Sequence, residues 1–342
     1  MLCSPLPAEP RALLPVQVRN LAAWWLSGPP RGPRSRRRHA CLFALGHIGD
    51  FVLALSTLRL FVREFGAEQC TLVVLPALAP VVAAELPGVE LITLPPYAVS
   101  LTREILPIWW RERSQFARDR FAFRIAVNHQ RFLYREIVLS WIDAERDFRL
   151  LPSTYPHPSP DDQCTELHAH RRLAALVLGR AVMWEEIVPR FTAWTASADG
   201  RLLVYPLSND RSRNVPADQV ASILRCWRER QRAPIVLAGS PADTATLRSY
   251  AAIAHAAGVA GIVVETPAGV ENLVAHVAGA SAVLSADSAA GHIGATFDKP
   301  TVVLTPAGWY GLCQPWHRSA RQKTFVLNEA TPEEVAAALP GL

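Results

Sequence analysis

The stretch that decides the fold runs SAVLSADSAAGHIGATFDKPTVVL, from Ser281 to Leu304 of a 342-residue chain. It begins with an apolar run, residues 282–284, which predicts a buried strand ending at Ser285. A second apolar run, residues 301–304, follows a proline break and predicts another buried strand. Two such strands joined by a short helix form a βαβ unit of a parallel sheet. The stretch therefore predicts an α/β protein.

The turn between these two strands has the composition of an anion-binding site. Asp287 and Ser288 are good helix-capping residues, and they are followed by Ala289, Ala290, Gly291 and His292. The N-terminus of a helix supplies unpaired backbone N–H groups, and small side chains let a phosphate approach them. The alternative is an ordinary crossover in which Asp287 only caps a helix.

Length and composition predict two domains and an anionic partner. Half of the residues are hydrophobic and 19% are charged, so a chain of this length has ample material for a core and is too long for most single domains. The net charge of +5 comes almost entirely from arginine, since Lys299 and Lys323 are the only lysines. This charge suits an anionic ligand or a membrane surface.

Motif content narrows the function classes further. The sequence contains no zinc finger, RNP motif or recognisable helix-turn-helix, so a nucleic-acid partner is not predicted. The six cysteines are scattered without a CxxC pair. They indicate separate thiols in a reducing cytosol, with neither a zinc site nor a disulfide framework.

Residues 40–188 are predicted to form an N-terminal Rossmann-like domain. The run 40–45 (ACLFAL) predicts its first strand, and a glycine loop, GHIGD, leads into an amphipathic helix over residues 51–65. This loop does not match G-x-G-x-x-G and no acidic residue closes the next strand, so a nicotinamide site is not predicted. Asp50 lies at the start of the helix, where an N-cap is the simplest role for it.

Further strands of this domain are predicted at residues 71–75, 89–94 and 121–127, with helices at 80–86 and 168–178. The loop after residue 127 contains His129, Arg131 and Arg135. The carboxyl ends of parallel strands face one cleft, so these side chains are candidates for binding an acceptor molecule. An exposed basic helix start is the alternative.

Residues 201–330 are predicted to form a second Rossmann-like domain, joined to the first by a linker over 189–200. Its strands are predicted at 201–205 and 235–238, with helices at 217–230 and 271–280. A basic loop, residues 206–216, lies between the first strand and the first helix, and a solvated loop is its simplest interpretation. A C-terminal helix over 331–342 is predicted from Thr331 as N-cap and Pro332 as first helical residue.

Residues 1–39 are predicted to be an N-terminal extension. The segment 16–26 (VQVRNLAAWWL) suits one short helix that carries Trp24 and Trp25, and an arginine cluster follows it over residues 31–38. The apolar run is too short to cross a bilayer. A solvated extension that packs on its own domain is the favoured interpretation, and a helix lying on anionic lipid is the alternative.

Two of these segments resemble glycosyltransferase family 9, the ADP-heptose:lipopolysaccharide heptosyltransferases. The pattern Asp287-Ser288-x-x-x-His292, followed by Gly-Ala and Lys-Pro, is similar to the family's C-terminal signature, with Ala289 where the family usually has glycine. Gly49-Asp50 before an apolar helix is similar to its N-terminal signature, in which the aspartate is taken as the catalytic base. The resemblance covers about residues 40–330 and is thin between 95 and 165.

The resemblance also implies donor-binding residues in the second domain. Ser208 and Asn209 fall on the family's phosphate-binding hydroxyl positions, and Arg213 falls where the family usually has lysine. Val215 replaces the usual tryptophan. Asp243 matches an acidic position near the nucleotide's ribose, although a helix cap is an equal alternative for it.

The resemblance implies a GT-B fold, in which two Rossmann-like domains face each other across a cleft and the final helix crosses back to the first domain. The implied reaction is inverting transfer of a sugar, heptose from ADP-heptose, to a hydroxyl of a lipopolysaccharide-core or other glycan acceptor. Asp50 would be the base. Arg213, Ser208, Asn209 and the helix start at 288–292 would stabilise the departing diphosphate.

The expected partners follow from this reaction. They are a nucleotide-sugar donor and a glycan or glycolipid acceptor, with no cofactor and no required metal, because the sequence contains no suitable Asp-x-Asp pair. The expected location is the cytoplasm, with peripheral contact at the inner face of the inner membrane. A nucleotide-sugar epimerase and a degenerate nucleotide-sugar-binding protein are the alternatives, and the departures at Ala289 and Val215 permit the latter.

Overall fold

The computed structural model describes residues 36–94, 112–116, 119–127, 138–150, 165–309 and 319–339. In these ranges the chain forms two parallel β-sheets with helices packed on them. The first half contains strands β1 (Arg36–Phe43), β2 (Cys70–Val74), β3 (Glu90–Thr93), β4 (Asp119–Ala126) and β5 (Ala144–Arg149), and helices α1 (Ile48–Phe65), α2 (Ala79–Glu85), α3 (Thr165–Leu178) and α4 (Trp184–Ile187).

The second half repeats the same alternation of strands and helices. Its strands are β6 (Leu202–Tyr205), β7 (Ile235–Ala238), β8 (Ile262–Glu265), β9 (Ala282–Ala286), β10 (Thr301–Thr305) and β11 (Gln322–Val326). Its helices are α5 (Ala217–Arg228), α6 (Thr244–Ala256), α7 (Val270–Gly279), α8 (Ala289–Thr296) and α9 (Pro332–Ala338).

Both sheets are doubly wound. The first has the strand order β3-β2-β1-β4-β5 and the second the order β11-β10-β9-β6-β7-β8. In each, the order reverses beside the first strand, between β1 and β4 and between β6 and β9, and all pairings in the sheets are parallel. Ligands of such sheets bind at the carboxyl ends of the strands at this reversal. The predicted α/β architecture with two Rossmann-like sheets is confirmed.

Helix α1 of the first half also contacts the second half. Its apolar side chains, such as Phe51, Leu55 and Leu58, are at most 1% exposed, and burial of each stabilises the fold by roughly 1.5–3 kcal/mol. The helix also packs against α8 of the second half. It begins at Ile48, three residues before the predicted start, with His47 as its N-cap residue.

The segment between the two halves is held on both sides. Glu85, at the end of α2, accepts hydrogen bonds from the backbone N–H groups of Thr192 and Ala193, both at 2.8 Å. On the other side the Lys299 ammonium donates to the carbonyls of Ser197 and Ala280. Lys299 of the Lys-Pro pair therefore ties the linker to the second sheet.

Strand β1 begins at Arg36, four residues before its predicted start. Arg38 is only 7% exposed and pairs with Glu90 and Asp119, so it is buried with counter-charges and unavailable to lipid. Residues 1–35, with Trp24 and Trp25, lie outside the described residues. Within the described ranges, no helix combines the length and apolar character needed to cross a bilayer.

The C-terminal helix is confirmed, with its cap. The Thr331 hydroxyl accepts a hydrogen bond from the backbone N–H of Glu334 at 3.2 Å. The implied crossing of this helix to the first domain is wrong for the described residues. Val335 and Ala336 are fully buried in the core that α5 forms with the second sheet, because the apolar face of this two-turn helix fits beside its nearest amphipathic neighbour.

Candidate active site

A cavity of about 470 Å³ lies between the two halves, at the carboxyl ends of their strands. The first half contributes the start of α1, residues 47–50. The second half contributes the loop after β6, the turn after β7, Leu273 of α7 and the start of α8. The cavity therefore lies at the position, in both sheets, where the strand order reverses.

Most of the predicted site residues line this cavity. They are Asp50, Ser208, Asn209, Arg213, Asp243, Asp287, Ser288, Ala289 and His292. Gly291 does not line it, because it is buried in the first turn of α8. His129, Arg131 and Arg135, the candidates for acceptor binding, lie outside the described residues.

Arg213 and Asp287 are brought together from distant parts of the chain. Arg213 Nη1 lies 3.3 Å from Asp287 Oδ2, and Arg213 Nε lies 3.5 Å from Asp210 Oδ2. The hydroxyl of Thr305, at the end of β10, also donates to Asp287 Oδ2 at 3.4 Å. In this structure the guanidinium is thus neutralised by two carboxylates at the wall of the cavity.

The start of α8 presents backbone N–H groups to the same cavity. Ser288 is the N-cap residue, but its hydroxyl pairs with Ser285 Oγ at 3.0 Å and makes no cap hydrogen bond. Asp287 precedes the cap and pairs with Arg213, so capping is not its role. Ala289 carries only a methyl group at the first helical position, which leaves room for an anion at the positive end of the helix.

Asp50 faces these groups from the first half. It is the third residue of α1, 8% exposed, and its Oδ2 accepts the backbone N–H of His47 at 3.0 Å. The carboxylate thus closes the helix N-terminus and lines the cavity at the same time. Its orientation is set by the backbone of the GHIGD loop.

His292 is the second-half residue nearest to this loop. It is 6% exposed, and its Nδ1 has no hydrogen-bond partner among the described residues. Burial lowers its pKa below the ordinary value, although the carboxylates of Asp287, Glu166 and Asp50 act in the opposite direction. The imidazole is therefore neutral at neutral pH.

Asp243 both caps a short turn and lines the cavity. Its Oδ2 accepts the backbone N–H and the hydroxyl of Ser240, at 3.0 and 2.6 Å, which closes the single turn Pro241–Asp243. The residue also lines the cavity after β7. A cap and a ligand contact are compatible here.

Sequence reasoning missed several lining residues, among them His47, Tyr205, Asp210, Ser240 and Leu273. Tyr205 ends β6, and its hydroxyl lies 3.3 Å from His276 Nδ1, whose other ring nitrogen lies 2.5 Å from Glu265. The available signal was position, since four of these five residues end a strand or lie in the loop that follows one. Leu273, on a helix face, gave no such signal.

In the described part of the chain, no group of three or more His, Cys, Asp or Glu side chains is arranged to hold a metal ion. The charges around the cavity come from Arg213, the start of α8 and the carboxylates of Asp50, Asp210, Asp243 and Asp287. Such a set can hold an anion on one wall and accept a proton on the other.

Three solved structures share this fold across most of the chain. E. coli heptosyltransferase WaaC with ADP-2-deoxy-2-fluoro heptose matches with a TM-score of 0.65 and 14% identity, over 88% of this chain and 98% of that one. E. coli ADP-heptose lps heptosyltransferase II matches with a TM-score of 0.61 and 14% identity, over 88% and 97%. A family 9 glycosyltransferase from Veillonella parvula gives 0.57 and 15%, over 86% of each chain.

The comparison of sequences points to the same family. No curated protein sequence matches the chain, but the family model of glycosyltransferase family 9 (heptosyltransferase) matches residues 121–337. That range is more than half of the chain and contains the second-half wall of the cavity, whereas Asp50 lies outside it. The chain belongs to glycosyltransferase family 9, the heptosyltransferase family, and is a glycosyltransferase with the GT-B fold.

Proposed function

We propose that this glycosyltransferase transfers heptose from ADP-heptose, with inversion, to a hydroxyl of a lipopolysaccharide-core or other glycan acceptor. One observation carries the proposal. A carboxylate from the first half, Asp50, and an anion site from the second half, Arg213 with the start of α8, line the same cavity. A base and a leaving-group site on opposite walls suit a displacement at a carbon held between them.

In the proposed reaction Asp50 accepts the proton of the acceptor hydroxyl as its oxygen attacks the anomeric carbon. The bond from that carbon to the diphosphate oxygen breaks, and ADP leaves with the electron pair. Because the new bond forms on the face opposite the departing diphosphate, the configuration inverts. Asp50 then returns its proton to solvent.

The negative charge that develops on ADP is stabilised by the second half. Arg213 exchanges its contacts with Asp287 and Asp210 for the phosphates, and a guanidinium can bind them with two parallel hydrogen bonds. Ser208, Asn209 and the N–H groups at 288–292 supply further donors. With protein groups in these places, the proposal requires no divalent metal, so transfer should persist in EDTA.

The donor is proposed from the second-half wall and from the solved structures. E. coli WaaC has been solved with ADP and with ADP-2-deoxy-2-fluoro heptose, which supports a nucleotide-sugar donor for this chain. In the proposed complex Asp243, on the turn after β7 and at the wall of the cavity, accepts a hydrogen bond from a ribose hydroxyl. The adenine base of the donor would then extend toward β8, away from Asp287.

Thermal unfolding with a panel of nucleotide sugars tests the proposal. A bound donor at 100 times its Kd should add about 2.7 kcal/mol to the free energy of unfolding. ADP and ADP-heptose should raise Tm, while UDP- and GDP-sugars should not. Release of ADP from ADP-heptose, followed with and without a lipopolysaccharide-core acceptor, then identifies transfer.

Other outcomes of the same assay would contradict the proposal. Interconversion of the sugar without acceptor consumption indicates an epimerase. Stabilisation by ADP-heptose with neither transfer nor hydrolysis indicates a binding protein. Stabilisation by another nucleotide alone would replace the donor while leaving the transferase class in place.

We also propose that the enzyme works in the cytoplasm at the inner face of the inner membrane, where residues 1–35 contact anionic lipid. Their two tryptophans and the arginines before Arg36 suit that surface. Sedimentation with anionic vesicles tests this proposal. The full chain should sediment more than a chain that begins at Arg36, and equal partition of the two would contradict it.

A further inference from the structure

Gly49 and His292 form a close contact between the two halves of the molecule. A Cβ atom built on Gly49 would lie 2.9 Å from His292 Cδ2 and 3.2 Å from Nε2. Gly49 lies inside α1 and is not among the glycines with positive φ, so an L-residue could adopt its backbone conformation. Glycine is needed here because the imidazole occupies the space of a side chain.

The contact is embedded in a larger buried interface. Helices α1 and α8 pack directly on each other, and Phe191 of the linker stacks on Phe297 after α8 with 5.2 Å between ring centroids. His292 itself is held within α8, where the Thr296 hydroxyl donates to its carbonyl at 2.8 Å. The imidazole, only 6% exposed, therefore meets Gly49 inside a packed interface.

The charges around the ring come from every side of this interface. Asp50 faces it from α1, Glu166 from α3, and Asp287 and Arg213 from the loops after β9 and β6. Since burial keeps the ring neutral, its contact with Gly49 is one of close packing.

Gly49 and His292 each lie close to one of the two groups that the proposed reaction needs. Gly49 directly precedes Asp50, and His292 follows Ser288 by four residues, about one helical turn or 5.4 Å. A rigid contact between them transmits the position of one functional group to the other.

We infer that His292 is a positioning residue, whose contact with Gly49 sets the distance between Asp50 and the leaving-group site at Ser288. The inference rests on the proposed function. A displacement of about 1 Å between reacting groups can lower a rate about 10²-fold. A methyl group inserted at Gly49 would force a displacement of that order, because it would lie inside the contact distance of the ring.

Kinetics of Gly49→Ala in two backgrounds test the inference. In the wild-type enzyme Gly49→Ala should lower kcat about 10²-fold, while the Kd of ADP, measured by calorimetry, stays within about twofold because the ADP site lies in the second half. His292→Ala alone should also lower kcat with little change in the Kd of ADP. In the His292→Ala background the further loss from Gly49→Ala should be less than about threefold, because the methyl group then has room.

Two other glycines provide matched controls. Gly294→Ala, in the same helix, places a Cβ 2.6 Å from Thr301 Oγ1, inside the second half. It should lower Tm, and His292→Ala should not relieve that loss. Apart from its chain neighbours, no atom of the described residues lies within 4 Å of a Cβ built on Gly308, and Gly308→Ala should leave Tm unchanged.

Several results would overturn the inference. They are a wild-type kcat for Gly49→Ala, an equal loss of kcat from Gly49→Ala in both backgrounds, and a His292→Ala enzyme that keeps kcat and loses ADP affinity. Should Gly49→Ala fail to fold, the kcat and ADP affinity of His292→Ala alone decide. If the wild-type enzyme transfers no sugar at all, the proposed function fails, whereas the coupling of the two substitutions in Tm still tests the contact.

Discussion

At the scale of single residues, the role of Asp50 can be separated from its contribution to the helix. Asn at this position keeps an oxygen that accepts the His47 N–H, so Asp50→Asn should leave the fold and ADP affinity nearly intact. It removes the proton acceptor, and turnover should fall by about 10²-fold or more. Initial rates with saturating donor and acceptor, together with Tm, measure both effects.

A particular result would reverse this assignment. If Asp50→Asn kept near wild-type turnover and only Asp50→Ala lowered Tm, the carboxylate would serve α1 alone. The proton would then be accepted by another group of the cavity.

Buried histidines make stability depend on pH. Burial lowers the pKa of His292 from an ordinary value of 6.5, and burial also lowers that of His276. The unfolded chain then binds more protons than the folded one as pH falls through 6.5, so the free energy of unfolding is highest above this pH and decreases below it. Thermal melts between about pH 8 and pH 5 should show Tm falling on the acid side.

Comparison with His292→Asn isolates the contribution of His292 to the pH dependence of stability. The variant lacks one of the two titrating rings, so the difference in Tm between wild type and variant should narrow as pH falls. A difference that stays constant or widens toward low pH would contradict the depressed pKa of His292.

At the scale of elements, the linker is anchored on α2 by one buried carboxylate. Glu85 is 4% exposed and binds Arg59, Thr192 and Ala193 together. Glu85→Ala leaves a guanidinium and two amides without their acceptor, so unfolding by urea should show a loss of about 3 kcal/mol or more. Glu85→Gln keeps part of the hydrogen bonding and should lose less.

Glu186 is a matched control for this prediction. It forms an ion pair with Arg180 at 2.9 Å, on the surface of the first half. Glu186→Gln should change stability much less than Glu85→Ala, because water and salt screen the exposed pair. Equal losses from the two sites would show that Glu85 does not anchor the linker.

At the level of the whole molecule, the loops that follow β6, β7 and β9 of the second sheet line one cavity. Arg213→Ala should weaken ADP and ADP-heptose to the same extent, because the lost contact is with phosphates. A charged hydrogen bond of roughly 1.5–3 kcal/mol corresponds to about a ten- to hundredfold loss of affinity. Arg213→Lys should recover most of it, and calorimetry with both ligands measures these changes.

Arg211 supplies the matched control. It lies in the same single turn, Arg211–Arg213, and is exposed outside the cavity. Arg211→Ala should therefore leave ADP affinity near the wild-type value. Similar losses from Arg211→Ala and Arg213→Ala would mean that the loop acts only through its overall positive charge.

The elements and the loops that line the cavity could be predicted from the sequence. Strands buried on both faces appear as unbroken apolar runs, so the predicted strands at 282–284 and 301–304 lie inside β9 and β10. In parallel sheets ligand-binding loops follow such strands, and this rule places Asp50, Arg213 and Ser288 in candidate loops. The resemblance to glycosyltransferase family 9 then favoured a functional role for Asp50 over an N-cap and for Arg213 over a solvated loop. These features are local, because a run of apolar residues and its end are visible within ten residues.

Contacts between groups that are distant in the sequence could not be predicted and are seen only in the folded chain. Asp287 is a residue type that favours a helix cap, but it pairs with Arg213. Arg38 belongs to an apparent basic extension, but it is buried beside Glu90. Gly49 is glycine because His292 fills the space of a side chain there. The last helix likewise found its partner in α5. The physical reason is the same in all four cases. Each contact depends on how two elements from different parts of the chain pack together, and the sequence pattern of one element alone does not show which other element it will contact.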